Sequence, residues 1–141
     1  DTVLLSVGLI PENEVSKSAG VTLDPVTKGP IVDQTMMTEV PGIFACGNVV
    51  HVNDLVDNVS RESEVAGVSA ARYVKRGVGK GISIPVKPAG LVRYMVPQSV
   101  EAGTVEDAVF MYFRVLAPTE NAIIRATCGG TVLMQKKKKF V

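Results

Sequence analysis

The first third of the chain places continuous apolar runs between short polar turns. Thr2–Val7 and Ile43–Cys46 are uninterrupted apolar segments, and such runs are typical of strands buried on both faces of a parallel sheet. Residues 12–20, "ENEVSKSAG", predict one or two helical turns that end at Gly20. Between this helix and the second apolar run, Pro-containing turns predict short extended pieces.

A longer helix is predicted over Asn58–Arg76. Asp57 or Asn58 is a competent N-cap, and Gly77 follows two basic residues as helix ends prefer. Free backbone N–H groups at a helix start attract anionic or electron-rich groups. A strand, a Gly-Asn corner and this helix start, in that order, therefore predict one wall of a ligand cleft. The predicted inner face of the helix consists of Val59, Ser63, Ala66, Ala70 and Tyr73 or Val74, at steps of three and four.

From Ile82 onward the pattern changes to short strands rich in Val, Ile, Phe and Tyr. Two glycines, Gly129 and Gly130, stand between two such runs and predict a hairpin. Four antiparallel strands of this kind predict a small β-sandwich or part of one. The last strand would then pair with a strand beyond Val141 or from another molecule. The four predicted strands lie in Leu91–Pro97, Asp107–Pro118, Asn121–Cys128 and Thr131–Val141.

A change of charge accompanies this change of pattern. Residues 1–84 carry 7 Lys/Arg and 10 Asp/Glu, whereas residues 85–141 carry 8 and 4. The Gly/Pro-rich stretch Arg76–Gly90 lies at the change and is typical of a boundary between structural units. We therefore predict an α/β unit over residues 1–80 and a β-rich unit over residues 81–141.

Composition excludes several classes of protein. Of the 141 residues, 46% are hydrophobic and 21% charged, as in ordinary globular proteins, and no apolar run approaches the roughly 18 residues of a membrane span. Cys46 and Cys128 stand far apart without a CxxC pattern, which argues against a disulfide framework and a zinc site. We expect a reducing, cytoplasmic compartment. The chain begins at Asp1 rather than Met. We interpret it as cut from a larger protein, with Asp1 as a product of processing as the alternative.

Single reactive residues have plain interpretations. Cys46 is interpreted as a small buried hydrophobe and Met95 as a packing residue. His51, the one histidine, is interpreted as a polar loop contact, with a catalytic or ligand role as the alternative. The run Lys136–Lys139 is interpreted as a solvated hairpin edge. Nucleic-acid binders show a broader basic surface, so neither nucleic acid nor membrane is expected as a partner.

Three segments of the chain resemble one family in the right order and spacing. They are "DTVLLSVGLIPENE" (residues 1–14), "GPIVDQTMMTEVPGIFACGNV" (residues 29–49) and "AGVSAARYV" (residues 66–74). Together they resemble the end of the NAD(P)H-binding domain and the following FAD-domain segment of pyridine nucleotide–disulfide oxidoreductases. The resemblance implies part of a Rossmann-like FAD/NAD(P)-binding fold.

The same resemblance implies site residues. Gly47 and Asn48 occupy a Gly-Asp position whose acid receives a hydrogen bond from the FAD ribityl chain, and the backbone at Val59 and Ser60 would face the flavin's pyrimidine edge. Asn48 is a neutral acceptor here, worth about 1 kcal/mol less than a carboxylate. The chain contains no G-x-G-x-x-G, the turn that holds dinucleotide pyrophosphates. We therefore expect FAD and NAD(P) in an intact parent protein and neither on this chain alone; the catalytic residues stay unassigned.

The β-rich unit resembles a C-terminal extension of some FAD-dependent oxidoreductases of bacterial glycerol and sugar metabolism. Two functional hypotheses follow. In the first, the chain is the C-terminal portion of a flavoprotein that moves electrons between NAD(P)H, FAD and an unknown acceptor, and is inactive by itself. In the second, it is a non-enzymatic α/β plus β module for oligomerisation or docking to a partner protein. Under either hypothesis we expect self-association or a partner subunit.

Overall fold

One long helix and three antiparallel strand pairs organise the described part of the chain. The computed structural model describes residues 2–4, 8–77, 79, 81–105 and 108–141. The strands pair as β1–β3, β2–β4 and β5–β6. The elements are helix α1 (Glu14–Ser18), a 3-10 turn (Gly47–Val49), helix α2 (Val56–Arg76), and strands β1 (Ile82–Pro85), β2 (Val92–Val96), β3 (Ser99–Ala102), β4 (Tyr112–Val115), β5 (Glu120–Cys128) and β6 (Thr131–Phe140).

The long helix is confirmed, but it begins earlier than predicted. Its first residue is Val56, and its N-cap is Leu55 in extended conformation without a side-chain cap hydrogen bond. Asp57 therefore lies inside the first turn, where its charge complements the helix dipole. At the other end Gly77 takes a φ of 72° and its N–H donates to the Tyr73 carbonyl at 2.8 Å. Among the helices that the structure describes, none is long and apolar enough to cross a membrane.

The predicted strand Ile43–Cys46 is not formed, and the predicted strand Thr2–Val7 lies partly outside the described residues. Ile43–Cys46 holds only an isolated bridge, between Met37 and Phe44. Residues 5–7 of the run Thr2–Val7 lie outside the described residues, and residues 2–4 belong to no helix or strand. Tight turns reverse the chain after a few residues here, so each ladder stops at one bridge. A parallel sheet is therefore not seen in the described ranges.

The strands of the second part are found, but their assembly differs from the prediction. The predicted hairpin is confirmed: β5 and β6 pair from Cys128↔Thr131 to Glu120↔Phe140. The sequence pattern missed β1 and β3, which pair with each other. Because the described strands form three separate two-stranded sheets, the predicted β-sandwich is not confirmed.

A small core joins the two parts of the chain. β2 contributes Val96, which is fully buried together with residues of the first part. Beside it, the Gln98 N–H donates to the Val32 carbonyl, and the Val32 N–H donates to Gln98 Oε1, both at 3.0 Å. The second part therefore packs directly on the first, and the boundary between residues 80 and 81 stays a prediction. The core consists of Val32, Met36, Ala45, Val50, Ala66 and Val96.

Candidate functional site

The Gly47–Asn48 corner is a 3-10 turn pressed against helix α2. Gly47 has a φ of 68°, a conformation that favours glycine. A Cβ atom there would lie 3.0 Å from Cγ1 of Val59, so a larger residue would also push the corner away from the helix. The half-buried Val59 therefore lies directly under the corner, as a neighbour of the predicted site.

Asn48 presents its side chain at the surface of the corner. Its Oδ1 accepts a hydrogen bond from the backbone N–H of Asn53 at 3.0 Å, which fixes the orientation of the amide. An amide oxygen has two lone pairs, so one remains to accept a hydrogen bond from a ligand.

The free N–H groups of α2 belong to other residues than predicted. Because the helix begins at Val56, the N–H groups of its first turn that have no partner within the helix are those of Leu55, Val56 and Asp57. The N–H groups of Val59 and Ser60 fall within the helix's own hydrogen-bond ladder, so these residues do not open the helix; Ser60 is exposed on its surface. The side chains of Leu55 and Val56 are 63% and 75% exposed, which leaves an uncovered apolar rim around the free donors.

A buried carboxylate joins the corner to the helix. Glu62 has 0% relative exposure. Its Oε2 accepts the Gly47 N–H at 2.7 Å, and its Oε1 accepts from His51 Nε2 at 2.8 Å and from Asn53 Nδ2 at 3.3 Å. Three donors satisfy this carboxylate, as burial of a charge requires.

The sequence reasoning missed Glu62, although the sequence carries a signal for it. The residue lies three positions after Val59 and four before Ala66, and hence on the same face of the helix. An acidic residue inside such a face of small and apolar side chains is unusual unless it is paired. That position could have marked Glu62 as a buried partner.

His51 makes the predicted polar contact, and its partner is the buried carboxyl group of Glu62. Because Glu62 is an acceptor, the imidazole proton belongs on Nε2, and Nδ1 is then free to accept from the Tyr94 hydroxyl at 3.4 Å. The Tyr94 oxygen accepts in turn from Arg114 Nε at 3.3 Å. Donors and acceptors therefore alternate without conflict from β4 through β2 to the corner.

Two side chains of β4 flank this chain of hydrogen bonds. Hydrogen bonds to Asp54 and then to Tyr94 raise the pKa of the Arg114 guanidinium; the Asp54 contact is 2.8 Å long. Burial, and next the charge of Glu62, raise the pKa of the Tyr112 phenol. The Tyr112 hydroxyl is buried and has no hydrogen-bond partner among the described residues.

Two cavities are formed by residues that the structure describes. One of about 410 Å³ is lined by His51, Asn58, Tyr94, Tyr112 and Arg114, among others. A larger one of about 780 Å³ lies near the C-terminal end of α2. Neither of these two cavities is lined by Gly47, Asn48, Val59 or Ser60.

The remaining reactive side chains have structural surroundings. Cys46 was predicted to be buried; it is half-buried and packs against the core, with its Sγ 3.6 Å from the Ser63 hydroxyl. In the described ranges, no group of three or more His, Cys, Asp or Glu side chains could hold a metal ion.

A protein-family profile matches the part of the chain that contains the Gly47–Asn48 corner. The sequence profile of the family "Pyridine nucleotide-disulphide oxidoreductase" matches residues 1–72. This range contains the Gly47–Asn48 corner, Glu62 and most of α2. The comparison with solved structures found no match.

Curated relatives match this chain over more than half of its length. A ferredoxin--NADP reductase of Ignicoccus hospitalis is 33% identical over 55% of this chain and 25% of its own length. A nitric oxide reductase FlRd-NAD(+) reductase of Salmonella heidelberg is 30% identical over 70% of the chain and 24% of its own length. A ferredoxin--NADP reductase of Leuconostoc mesenteroides is 29% identical over 65% and 29%. The chain thus spans about a quarter of the length of these relatives, and the profile covers more than half of the chain: it belongs to the pyridine nucleotide-disulphide oxidoreductase family.

Proposed function

We propose that this chain is the C-terminal portion of a flavoprotein oxidoreductase that moves electrons between NAD(P)H, FAD and an acceptor. The observation that carries the proposal is the exposed Asn48 acceptor next to the uncapped start of α2, within the range that matches the family. Unpaired helix donors and a fixed acceptor suit a ligand that has both hydroxyl groups and an electron-rich edge.

The corner fits one end of FAD. Asn48 has a lone pair available for a ribityl hydroxyl, and the N–H groups of Leu55–Asp57 are free to face the pyrimidine edge. The exposed Leu55 and Val56 side chains supply apolar surface that a bound flavin would cover. Gly47 leaves no side chain between the corner and the helix. Val59 and Ser60 belong to this proposed site as its floor and its neighbouring helix surface.

The chain's own residues would act by binding and orienting. In this family FAD supplies hydride acceptance from NAD(P)H and electron transfer to an acceptor. The α2 start adds a positive dipole end, which favours negative charge on an adjacent ligand, and Asn48 fixes the ligand's rotation by accepting one hydrogen bond.

The residues present do not fit the pyrophosphate of FAD or NAD(P)H. The Gly-rich turns that bind pyrophosphates are absent from the sequence, and the relatives are about four times as long as the matched segment. We infer that the missing contacts come from other parts of a longer polypeptide. Two relatives are named for NADP and one for NAD(+). We propose that the nicotinamide chemistry in these names also applies to the complete protein to which this chain belongs.

The test is to express the complete reading frame that contains these 141 residues and to measure bound flavin and NAD(P)H oxidation with ferricyanide as the acceptor. We expect stoichiometric FAD and turnover. The 141-residue chain alone should bind FAD no more tightly than about 1 μM, roughly −8 kcal/mol, by flavin fluorescence. A complete protein without FAD would contradict the proposal.

A further inference from the structure

Glu62 is hydrogen-bonded directly to Gly47 of the proposed flavin corner, and it is linked to Asn48 through Asn53. Its Oε2 accepts the Gly47 N–H at 2.7 Å. Its Oε1 accepts from the Asn53 side chain, and the Asn53 backbone N–H donates to Asn48 Oδ1. The position of Gly47 and the orientation of the Asn48 amide thus depend on one carboxylate of α2.

His51 connects Glu62 to strands β2 and β4 in the second part of the chain. The His51 ring is buried and lies edge-on to the Tyr94 ring, with centroids 5.7 Å apart. Its Nδ1 is aligned with the Tyr94 hydroxyl, which itself accepts from Arg114. Two hydrogen bonds through the His51 imidazole therefore link Tyr94 of β2 to Glu62. A third bond, from Arg114 to Tyr94, adds β4 to this network.

We propose that Glu62 is a positioning residue of the flavin-binding corner, and that β2 and β4 stabilise that corner through His51. This inference rests on the proposed function. It gives the second part of the chain a task in cofactor binding, besides any role in association. The buried carboxylate suits this task because a hydrogen bond to a charged acceptor is about twice as strong as one between neutral groups.

Glu62→Gln is the sharpest variant because it keeps the shape of the side chain. A glutamine amide has one oxygen and one NH₂ group, so it cannot accept from Gly47, His51 and Asn53 at once. Either the Gly47 bond is lost, or the imidazole moves its proton to Nδ1 and donates to the Tyr94 hydroxyl instead of accepting from it. Glu64→Gln is the matched control, since Glu64 is exposed on the same helix.

The first measurement is ¹⁵N NMR on the 141-residue chain. We expect the wild type to show the Nε2–H tautomer of His51 and a protected Gly47 amide. In Glu62→Gln the Gly47 amide should exchange about tenfold faster or more, or the His51 tautomer should change, while Glu64→Gln leaves both unchanged. An unaltered Gly47 amide and tautomer in Glu62→Gln would overturn the inference.

The second measurement is FAD dissociation from the complete protein. Glu62→Gln should weaken FAD binding about tenfold, and Glu64→Gln should stay within about twofold of wild type. If Glu62→Gln does not fold, Tyr94→Phe removes only the hydroxyl at the far end of the network. It should weaken FAD binding by about two- to tenfold, against no change for Tyr73→Phe.

The outcomes separate the two proposals. A complete wild-type protein that holds no FAD refutes the proposed function and, with it, this inference. A wild type that holds FAD, with Glu62→Gln or Tyr94→Phe binding it as tightly, refutes only the positioning role of Glu62.

Discussion

The Gly47–Asn48 corner, with its partner Glu62, and the β5–β6 hairpin are stabilised by different kinds of contact. In the corner, a buried carboxylate, a buried imidazole and a glycine amide satisfy one another. The hairpin has long strands, yet every residue of β6 is exposed and no strand lies on either side of the pair in the described ranges. The corner is thus specified by contacts across the chain, whereas the hairpin is specified by its own turn and strand propensities.

This difference predicts where substitutions matter. Residues whose partners are far along the chain and buried should be sensitive to single changes. Residues of an exposed two-stranded ladder should tolerate single substitutions, because water replaces most of the hydrogen bonds and contacts that a substitution removes. Four experiments test the contrast, from the largest expected effect to the smallest.

Removal of the buried carboxylate should have the largest effect. Glu62→Ala leaves the Gly47 N–H and two side-chain donors unpaired, and should lower the free energy of unfolding by about 3–5 kcal/mol. Glu64→Ala, on the exposed face of the same helix, should change it by less than about 0.5 kcal/mol. Urea unfolding followed by circular dichroism measures both, and equal effects would remove the contrast.

Loss of the exposed acceptor should affect ligand binding more than stability. In the complete protein, Asn48→Leu should weaken FAD retention by about 1–3 kcal/mol, because a ribityl hydroxyl would lose its partner. Cys46→Ala, two residues earlier, should leave NAD(P)H oxidation nearly unchanged. FAD titration and steady-state turnover decide this, and inactivity of Cys46→Ala with FAD still bound would contradict the packing role of Cys46.

A smaller and opposite effect is expected at Tyr112. Its hydroxyl is buried without a partner among the described residues, so Tyr112→Phe should stabilise the chain by about 1 kcal/mol. Burial and then Glu62 raise the pKa of this phenol, so folding favours its protonated form. That contribution is complete below the free-tyrosine pKa of about 10 and is lost as the pH rises through the higher pKa of the folded state.

Thermal unfolding at pH 7 and at pH 11 measures both consequences. Tyr112→Phe should unfold at a higher temperature and lose less stability at pH 11 than wild type, and Tyr73→Phe should behave like wild type. A destabilised Tyr112→Phe would mean that the hydroxyl has a partner such as an ordered water.

The smallest expected effect concerns association through the hairpin. Unpaired strand edges and exposed Leu133 and Phe140 favour pairing between copies, and the lysine run opposes it by less than about 1 kcal/mol, a term that salt screens. We therefore propose a dimer or larger assembly whose population rises with salt. Sedimentation at two ionic strengths tests this, with residues 1–118 as the control; a monomer in both conditions would refute it.

Short sequence patterns predicted the elements whose hydrogen bonds join residues close together in the sequence. The Gly129-Gly130 turn and the spacing in α2 both led to the correct structure. The prediction of a strand over Ile43–Cys46 was wrong. An apolar run forms a strand only when a neighbouring strand pairs with it, and this run has one isolated bridge. The corner was predicted at Gly47 and Asn48, but its supports were not, since His51 and Tyr94 are 43 residues apart and nothing local relates them.

The isolation of β5 and β6 also has a consequence for the order of folding. Their contacts close over short stretches of chain, and hairpins form within about 1–10 μs, whereas contacts such as Arg114–Asp54 must close a loop of 60 residues. The hairpin can therefore exist while the rest of the chain is still unfolded. In that interval its edges are open to other nascent chains, and Lys136–Lys139 would act as gatekeepers against aggregation.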